Sequence, residues 1–290
     1  MERRRYALWL AYDGGAFRGF QRQPGLPTVE AALLGALAPL GLRPHLEVAA
    51  RTDAGVHALS QVVSFAARED LDPVALRAGV NAGTPPELIC LAAWRAPEGF
   101  HARASALSRT YVYLVGTPPP PEMEGRAWAL PDERGFPGVR ARLDAAGVRE
   151  ALGYAVGEHD FAGFARPGEQ RGTVRTLLDA RVAEGCGGAV LAVTLEGRGF
   201  LRAQVRNLVG TAVAAGLGVV TPMRVKEILA SPARYRGVRA PAWGLTLARV
   251  GYPTGAIPDQ VLMDSPDWPL ASSGGTSPYL CSRSETASRR

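Results

Sequence analysis

The feature that most constrains the fold of this chain is the placement of about eight short β-rich runs among helical patterns in no regular order. Strand patterns fall at residues 5–11, 46–50, 61–67, 88–94, 110–115, 177–183, 190–195 and 245–250. Helical periodicity falls at 29–40 behind Thr28, at 73–81, 139–156 and 207–217, and at 223–229 where Pro222 follows Thr221. Strict βαβα alternation would build a parallel sheet, and strands without helices would build a sandwich or barrel. Neither order is present. The chain is therefore expected to be α+β, with helices packed on a largely antiparallel sheet.

With 290 residues, 47% of them hydrophobic and 21% charged, there is material for one large domain or for two of about 120 residues. The loop 116–121 holds four consecutive prolines and cannot continue a strand, so a seam between two halves fits there; a seam near Ser105 fits equally. Residues 1–105 and 106–252 are taken as the two halves. Residues 253–290, rich in Ser, Pro, Gly and Asp and without periodicity, are expected to form a structureless tail.

No stretch approaches the roughly 20 uninterrupted apolar residues of a membrane-spanning helix, and the first residues lead to no small-residue cleavage site. Cytoplasmic residence is expected. Cys90, Cys186 and Cys281 stand far apart with no CxxC pair, which argues against a disulfide framework or a zinc ribbon. A net charge of +6 and a pI near 9.6 favour a polyanionic partner, since a basic surface binds phosphates by releasing their counterions. Lys226 is the single lysine, and arginine both grips phosphate with two donors and stacks on bases.

Between two apolar strand patterns lies Arg51-Thr52-Asp53-Ala54-Gly55-Val56-His57-Ala58, where charge, hydroxyl and glycine meet. Connections at strand ends are where sites tend to be built. By composition alone the same stretch is a turn in which Asp53 caps its own backbone and Arg51 is solvated. A metal reading would use His57, His101 and the pair His159-Asp160, but no two of these have helical ligand spacing. Nor does a GxGxxG or GxxxxGK[ST] loop occur. Neither a metal nor a cofactor is expected.

The segment 51–58 resembles the signature of the tRNA pseudouridine synthase A family, and further marks of that family follow in order. They are Tyr12-Asp13-Gly14 with Phe17, Gly19 and Gln21, then Thr28-Val29-Glu30, Phe100-His101-Ala102-Arg103, Arg109-Thr110-Tyr111-Val112-Tyr113 and Gly157-Glu158-His159-Asp160-Phe161. Gly199-Phe200-Leu201, Val205-Arg206-Asn207, Ala240-Pro241 and Gly244-Leu245 complete the set, so the resemblance spans residues 4 to 252. Two departures stand out. Phe20 replaces a tryptophan usual before Gln21, and Arg202-Ala203-Gln204 replaces a His-Met-type stretch.

The resemblance implies two α+β halves of ferredoxin-like topology, their antiparallel sheets joined across a central cleft that holds Asp53. It implies a homodimer in which tRNA touches both subunits. The implied reaction breaks the N1–C1′ bond of a uridine in the anticodon arm of tRNA and rejoins the base through C5. Positive character builds at C1′, so a carboxylate can attack C1′ or take the C2′ proton; both routes remain open. By resemblance Asp53 is that catalytic carboxylate and Arg206 its partner. Tyr111 stacks on the base and offers its hydroxyl for proton removal, Arg51 helps hold the nucleotide out of its stack, and Leu245 lies against the base. Read from the residues alone, Tyr111 and Leu245 fit an apolar core equally well. Two rivals remain, an inactive RNA-binding protein of the same fold and a metal-dependent hydrolase using Asp53, His57 and His159.

Affinity for tRNA should fall steeply as salt rises, with a slope of about −0.7 to −0.9 in log K against log salt for each phosphate neutralised. Equilibrium binding measured across a salt series checks this; a flat response would count against a nucleic-acid substrate.

Overall fold

The β-rich runs become strands of a single sheet in the computed structural model, which describes residues 3–139, 142–166, 172–230 and 237–263. The first half runs β1 (Arg4–Tyr12), α1 (Val29–Leu37), β2 (Glu47–Val48), β3 (His57–Ala67), α2 (Pro73–Gly83) and β4 (Leu88–Ala96). Both helices begin at side-chain caps, Thr28 accepting from the Ala31 N–H and Asp72 from the Val74 and Ala75 N–H groups. The second half runs β5 (Ser108–Gly116), β6 (Trp128–Ala129), α3 (Ala145–Gly153), β7 (Gly157–Asp160), β8 (Val174–Gly185) and β9 (Val190–Gly197). It continues with α4 (Gln204–Gly216), α5 (Arg224–Ala230) and β10 (Leu245–Gly251), and α6 (Asp259–Met263) follows.

Strand order is β4-β1-β3-β10-β5-β9-β8-β7, with β2 beside β3 and β6 beside β5. Two pairings are parallel, β10 with β3 and β5 with β6; the others are antiparallel, so the α+β class expected from the sequence is the one observed. Strand β10 therefore lies between β3 and β5. Its register sets Thr246 opposite His57 and Leu247 opposite Ala58 on one side, and Leu247 opposite Tyr111 on the other.

Central strand β5 is covered on both faces, which is why its sequence reads as nearly continuous apolar residues. Tyr111, Tyr113 and Val115 point into the main core, while Val112 and Leu114 join a smaller cluster with Met123 and Val190. Strand β5 runs from Ser108 straight into the proline loop, and residues 97–107 connect β4 to β5. Helix α4 is apolar nearly all round and buried along its length except at Arg206, as expected of a helix inside a core.

Several boundaries differ from the sequence reading for local reasons. Strands β6 and β7 are too short to carry a readable alternation. Within the run expected to be helical at 139–156, the helix starts at Ala145, because Asp144 caps it through the Ala146 and Gly147 N–H groups; residues 140 and 141 lie outside the described residues. Helix α4 starts three residues early, since Ala203 adopts a left-handed φ of +65° and Gln204 Oε1 accepts from the Leu201 N–H. Structure also persists past Tyr252. Trp94 Nε1 donates to the Ala256 carbonyl at 3.2 Å, Ile257 and Val261 pack on the core, and α6 touches β4. The tail boundary thus lies beyond residue 252, and residues 264–290 lie outside the described residues.

A chain ending at Pro253 should lose about 2 kcal/mol of stability, from the uncovered core and the unpaired Trp94 donor. At this chain length that lowers Tm by about 4–8 °C. A calorimetric scan showing no shift would mean that this packing adds nothing.

Candidate active site

Asp53 opens a tight turn closed by the Val56 N–H on the Asp53 carbonyl at 3.1 Å. Gly55 occupies the third position with φ +81°, a conformation a side chain would strain and that type II turns reserve for glycine. The turn rests on buried polar groups. Tyr12 Oη lies 2.8 Å from Thr52 Oγ1, and Gln61, fully buried on β3, holds Ala50 at both ends, accepting from its N–H and donating to its carbonyl at 2.7 Å. Burial pushes the Tyr12 phenol up to about 12, so it stays protonated within this network.

Behind the turn, His57 Nδ1 accepts from the Gly14 N–H at 3.2 Å and lies 3.1 Å from Asp13 Oδ1, which pairs through Oδ2 with Arg126. Burial pushes the His57 pKa below its ordinary value, against the pull of Asp13. Gly14 approaches so closely that a Cβ there would sit 2.1 Å from the Val56 carbonyl oxygen. His57 thus braces the turn from below. His101 sits near Glu47, and His159, on edge strand β7, contacts the Val156 carbonyl four strands from β10 and five from β3. The histidines are not gathered around Asp53, and among the described residues no cluster of three or more His, Cys, Asp or Glu is placed to hold a metal ion.

Two guanidiniums face the Asp53 carboxylate, one per oxygen. Arg206 Nη1 lies 3.6 Å from Oδ2 and Arg202 Nε lies 3.6 Å from Oδ1. Arg206 is the one charged residue of α4, and its Nε donates to the Ala240 carbonyl at 2.8 Å while the Ala240 N–H returns a bond to the Arg206 carbonyl. Burial lowers the Arg206 pKa, with Asp53 opposing it. Tyr111 is buried and sits on β5 between Leu247 and Leu195, with Phe200 edge-on at 5.4 Å between ring centroids. Burial raises its phenol pKa well above the ordinary value, so the hydroxyl is neutral across the physiological range. Leu245 is buried beside Tyr113 in the register.

These groups border one cavity of about 1910 Å³, whose lining includes Arg51, Asp53, Tyr111, Arg206 and Leu245. All five residues singled out in the sequence thus reach the same space. Arg18, Arg103, Arg166 and Arg198 also line it, and Asp53 is its one carboxylate among the described residues. A wall of guanidiniums around a single carboxylate suits a ligand rich in phosphate with one reacting carbon.

Sequence reasoning assigned no role to Arg109, which the structure makes central. Its Nε and Nη2 donate to the Ala49 carbonyl, Nη1 to the Ala106 and Arg198 carbonyls, and Nη2 to the Arg103 carbonyl at 2.7 Å. One guanidinium ties the segment before Asp53 to the connection between β4 and β5 and to the segment before Arg202. The legible signal was an arginine in phase with Tyr111 and Tyr113 on the inward face of an apolar strand. Gln61 carried a similar signal on β3.

The model of the family described as tRNA pseudouridine synthase matches residues 151–253. The chain is similar to curated relatives that bear the name tRNA pseudouridine synthase A. It is 40% identical to the one from Cereibacter sphaeroides over 86% of this chain and 96% of that protein. It is 40% identical to the one from Methylacidiphilum infernorum over 88% and 96%, and 40% identical to the one from Thermus thermophilus over 86% and 97%.

Replacing Arg109 with methionine leaves four carbonyls without these donors, at about 1–3 kcal/mol for each buried group left unpaired. The expected loss is about 3 kcal/mol or more in urea unfolding. A loss below about 1 kcal/mol would show that water replaces the clamp.

Proposed function

The chain belongs to the tRNA pseudouridine synthase A family and is an isomerase, and from that premise we propose that it converts uridine to pseudouridine in the anticodon stem-loop of tRNA with Asp53 as the catalytic carboxylate. The observation that carries this is the placement of Asp53 as the one carboxylate, among the described residues, in an arginine-lined cavity, held on a braced turn beside Arg206 and Tyr111.

In this reading the target uridine enters the cavity out of its stack, and Arg51, exposed at the rim, fills the gap or binds a flanking phosphate. Asp53 attacks C1′ or removes the C2′ proton as the N1–C1′ bond breaks, and the freed uracil stays between Tyr111 and Leu245 while it turns C5 toward C1′. Because burial keeps the Tyr111 phenol protonated, its hydroxyl enters the C5 step as a hydrogen-bonding group and not as a preformed phenolate. Arg206, anchored on Ala240, supplies the standing positive charge beside the reacting carboxylate. No cofactor is needed for this chemistry.

The halves 1–105 and 106–252 are read as two ferredoxin-like units. In support, β2 and β3 with β4-β1 repeat in the first half the neighbour relations of β8 and β9 with β10-β5 in the second, with α1 and α2 between strands in the first and α3, then α4 and α5, at the corresponding places in the second. The space between them is read as the catalytic cleft. Family resemblance supports a cytoplasmic homodimer that binds tRNA across both subunits. Among the described residues no helix is long and apolar enough to cross a membrane.

Asp53→Asn keeps shape and hydrogen bonding but removes charge and nucleophile. The fold and tRNA binding should survive while turnover falls by at least about three orders of magnitude, or about 4 kcal/mol of transition-state stabilisation. Tritium release from C5-labelled uridine in tRNA, with circular dichroism on the same protein, tests this. Release at the parental rate would remove Asp53 from the chemistry, and a parent that releases none would favour the rival RNA-binding protein without catalysis.

A further inference from the structure

The two guanidiniums on Asp53 are held in unlike ways. Arg206 rises from the buried helix α4, its side chain 17% exposed and its Nε tied to Ala240. It cannot leave without breaking that hydrogen bond and leaving the Ala240 carbonyl without its guanidinium donor. Arg202 lies just before the left-handed Ala203 with its side chain 59% exposed, and its Nε lies 3.6 Å from Asp53 Oδ1. That distance is longer than a hydrogen bond, and an exposed pair of this kind is weakly held. Arg202 can leave by rotating about its own side-chain bonds, with water taking its place.

An RNA strand entering the cavity changes the balance of partners for Arg202. In the free protein Asp53 is the cavity's one carboxylate among the described residues; with RNA present, phosphates become the more numerous anions. A guanidinium fork matches two phosphate oxygens, a better contact than a single Nε at 3.6 Å. The main chain at Arg202 is already fixed for this exchange, since its carbonyl accepts from the Arg166 N–H at 2.9 Å and the segment does not have to move.

We infer that Arg202 is an exchangeable guard of Asp53. It covers Oδ1 in the free protein, and the substrate's own phosphate draws it away, so that Oδ1 faces the ribose while Arg206 keeps Oδ2. This rests on the assignment of Asp53 as the reacting carboxylate. The residue stands where the sequence departs from the family pattern, so the device belongs to this chain's own residues.

Arg202→Gln and Arg202→Lys in the full chain, assayed with an unmodified tRNA transcript, test the exchange. Binding is read by anisotropy of the labelled RNA and turnover by tritium release, each across a potassium chloride series. For Arg202→Gln, Kd and KM should rise about three- to tenfold at low salt and the slope of log K against log salt should flatten by about 0.7–0.9, the loss of one phosphate contact. The loss should sit mainly in KM and not in kcat, because the guard has left before the chemical step. Arg202→Lys should regain most of the slope. A fall in kcat of about a hundredfold with unchanged Kd and slope would overturn the inference, since Arg202 would then be a fixed counter-charge. Unchanged Kd, KM and slope would overturn it as well. If the parent protein forms no pseudouridine yet the slope flattens in Arg202→Gln, the enzymatic reading fails while the phosphate contact stands, which separates the two failures.

Discussion

Strand β10 is the interaction on which the rest of this structure depends. Without it, strands β3 and β5 would each be left with an edge of unpaired N–H and C=O groups, and a buried edge of that kind is unfavourable. Residues 245–251 satisfy both at once, parallel to β3 and antiparallel to β5. The pairing of Thr246 with His57 matters most, because the turn that carries Asp53 ends where β3 begins. One register therefore brings Asp53, Tyr111 and Leu245, which are far apart in the chain, to the same cavity. A slip of one residue would turn Leu245 and Leu247 away from the core face and separate them from Tyr111.

The charges of the site are bound up with the stability of the fold. A guanidinium inside a core is unfavourable unless its donors and charge are met. Arg206 meets this with the Ala240 carbonyl and Asp53, and Arg109 meets it with backbone carbonyls from three segments. Both arginines hold cavity walls in place while presenting positive charge to whatever enters. Asp53, in contrast, is supported through its backbone turn and through Thr52, Tyr12 and Gln61, leaving its carboxylate free of tight hydrogen bonds. Rigid support beneath an accessible carboxylate is the arrangement that the proposed role of Asp53 calls for.

How far the chain could be read before its structure was known varied with the kind of residue. The long strands and the helices α1 and α2 were legible, because period-two and period-3.6 patterns and the cap at Thr28 act locally. Strands β6 and β7 were not, since two- and four-residue strands hold no period and exist through pairing with neighbours. The start of α4 escaped for another reason. A left-handed alanine at 203 is unfavourable by itself and persists through its surroundings, at a point where the chain passes between the two arginines that flank Asp53.

The sequence by itself determined the α+β class, because strand and helix periods and their order along the chain carry that information directly, and it displayed the motif around Asp53 on which the resemblance rests. Only the tertiary structure decided that β10 lies between β3 and β5, that Arg109 clamps three segments, and that Arg202 and Arg206 take opposite oxygens of one carboxylate. Those outcomes depend on contacts between residues far apart in the chain. Their geometry follows from the buried polar groups that must be paired once the core has closed.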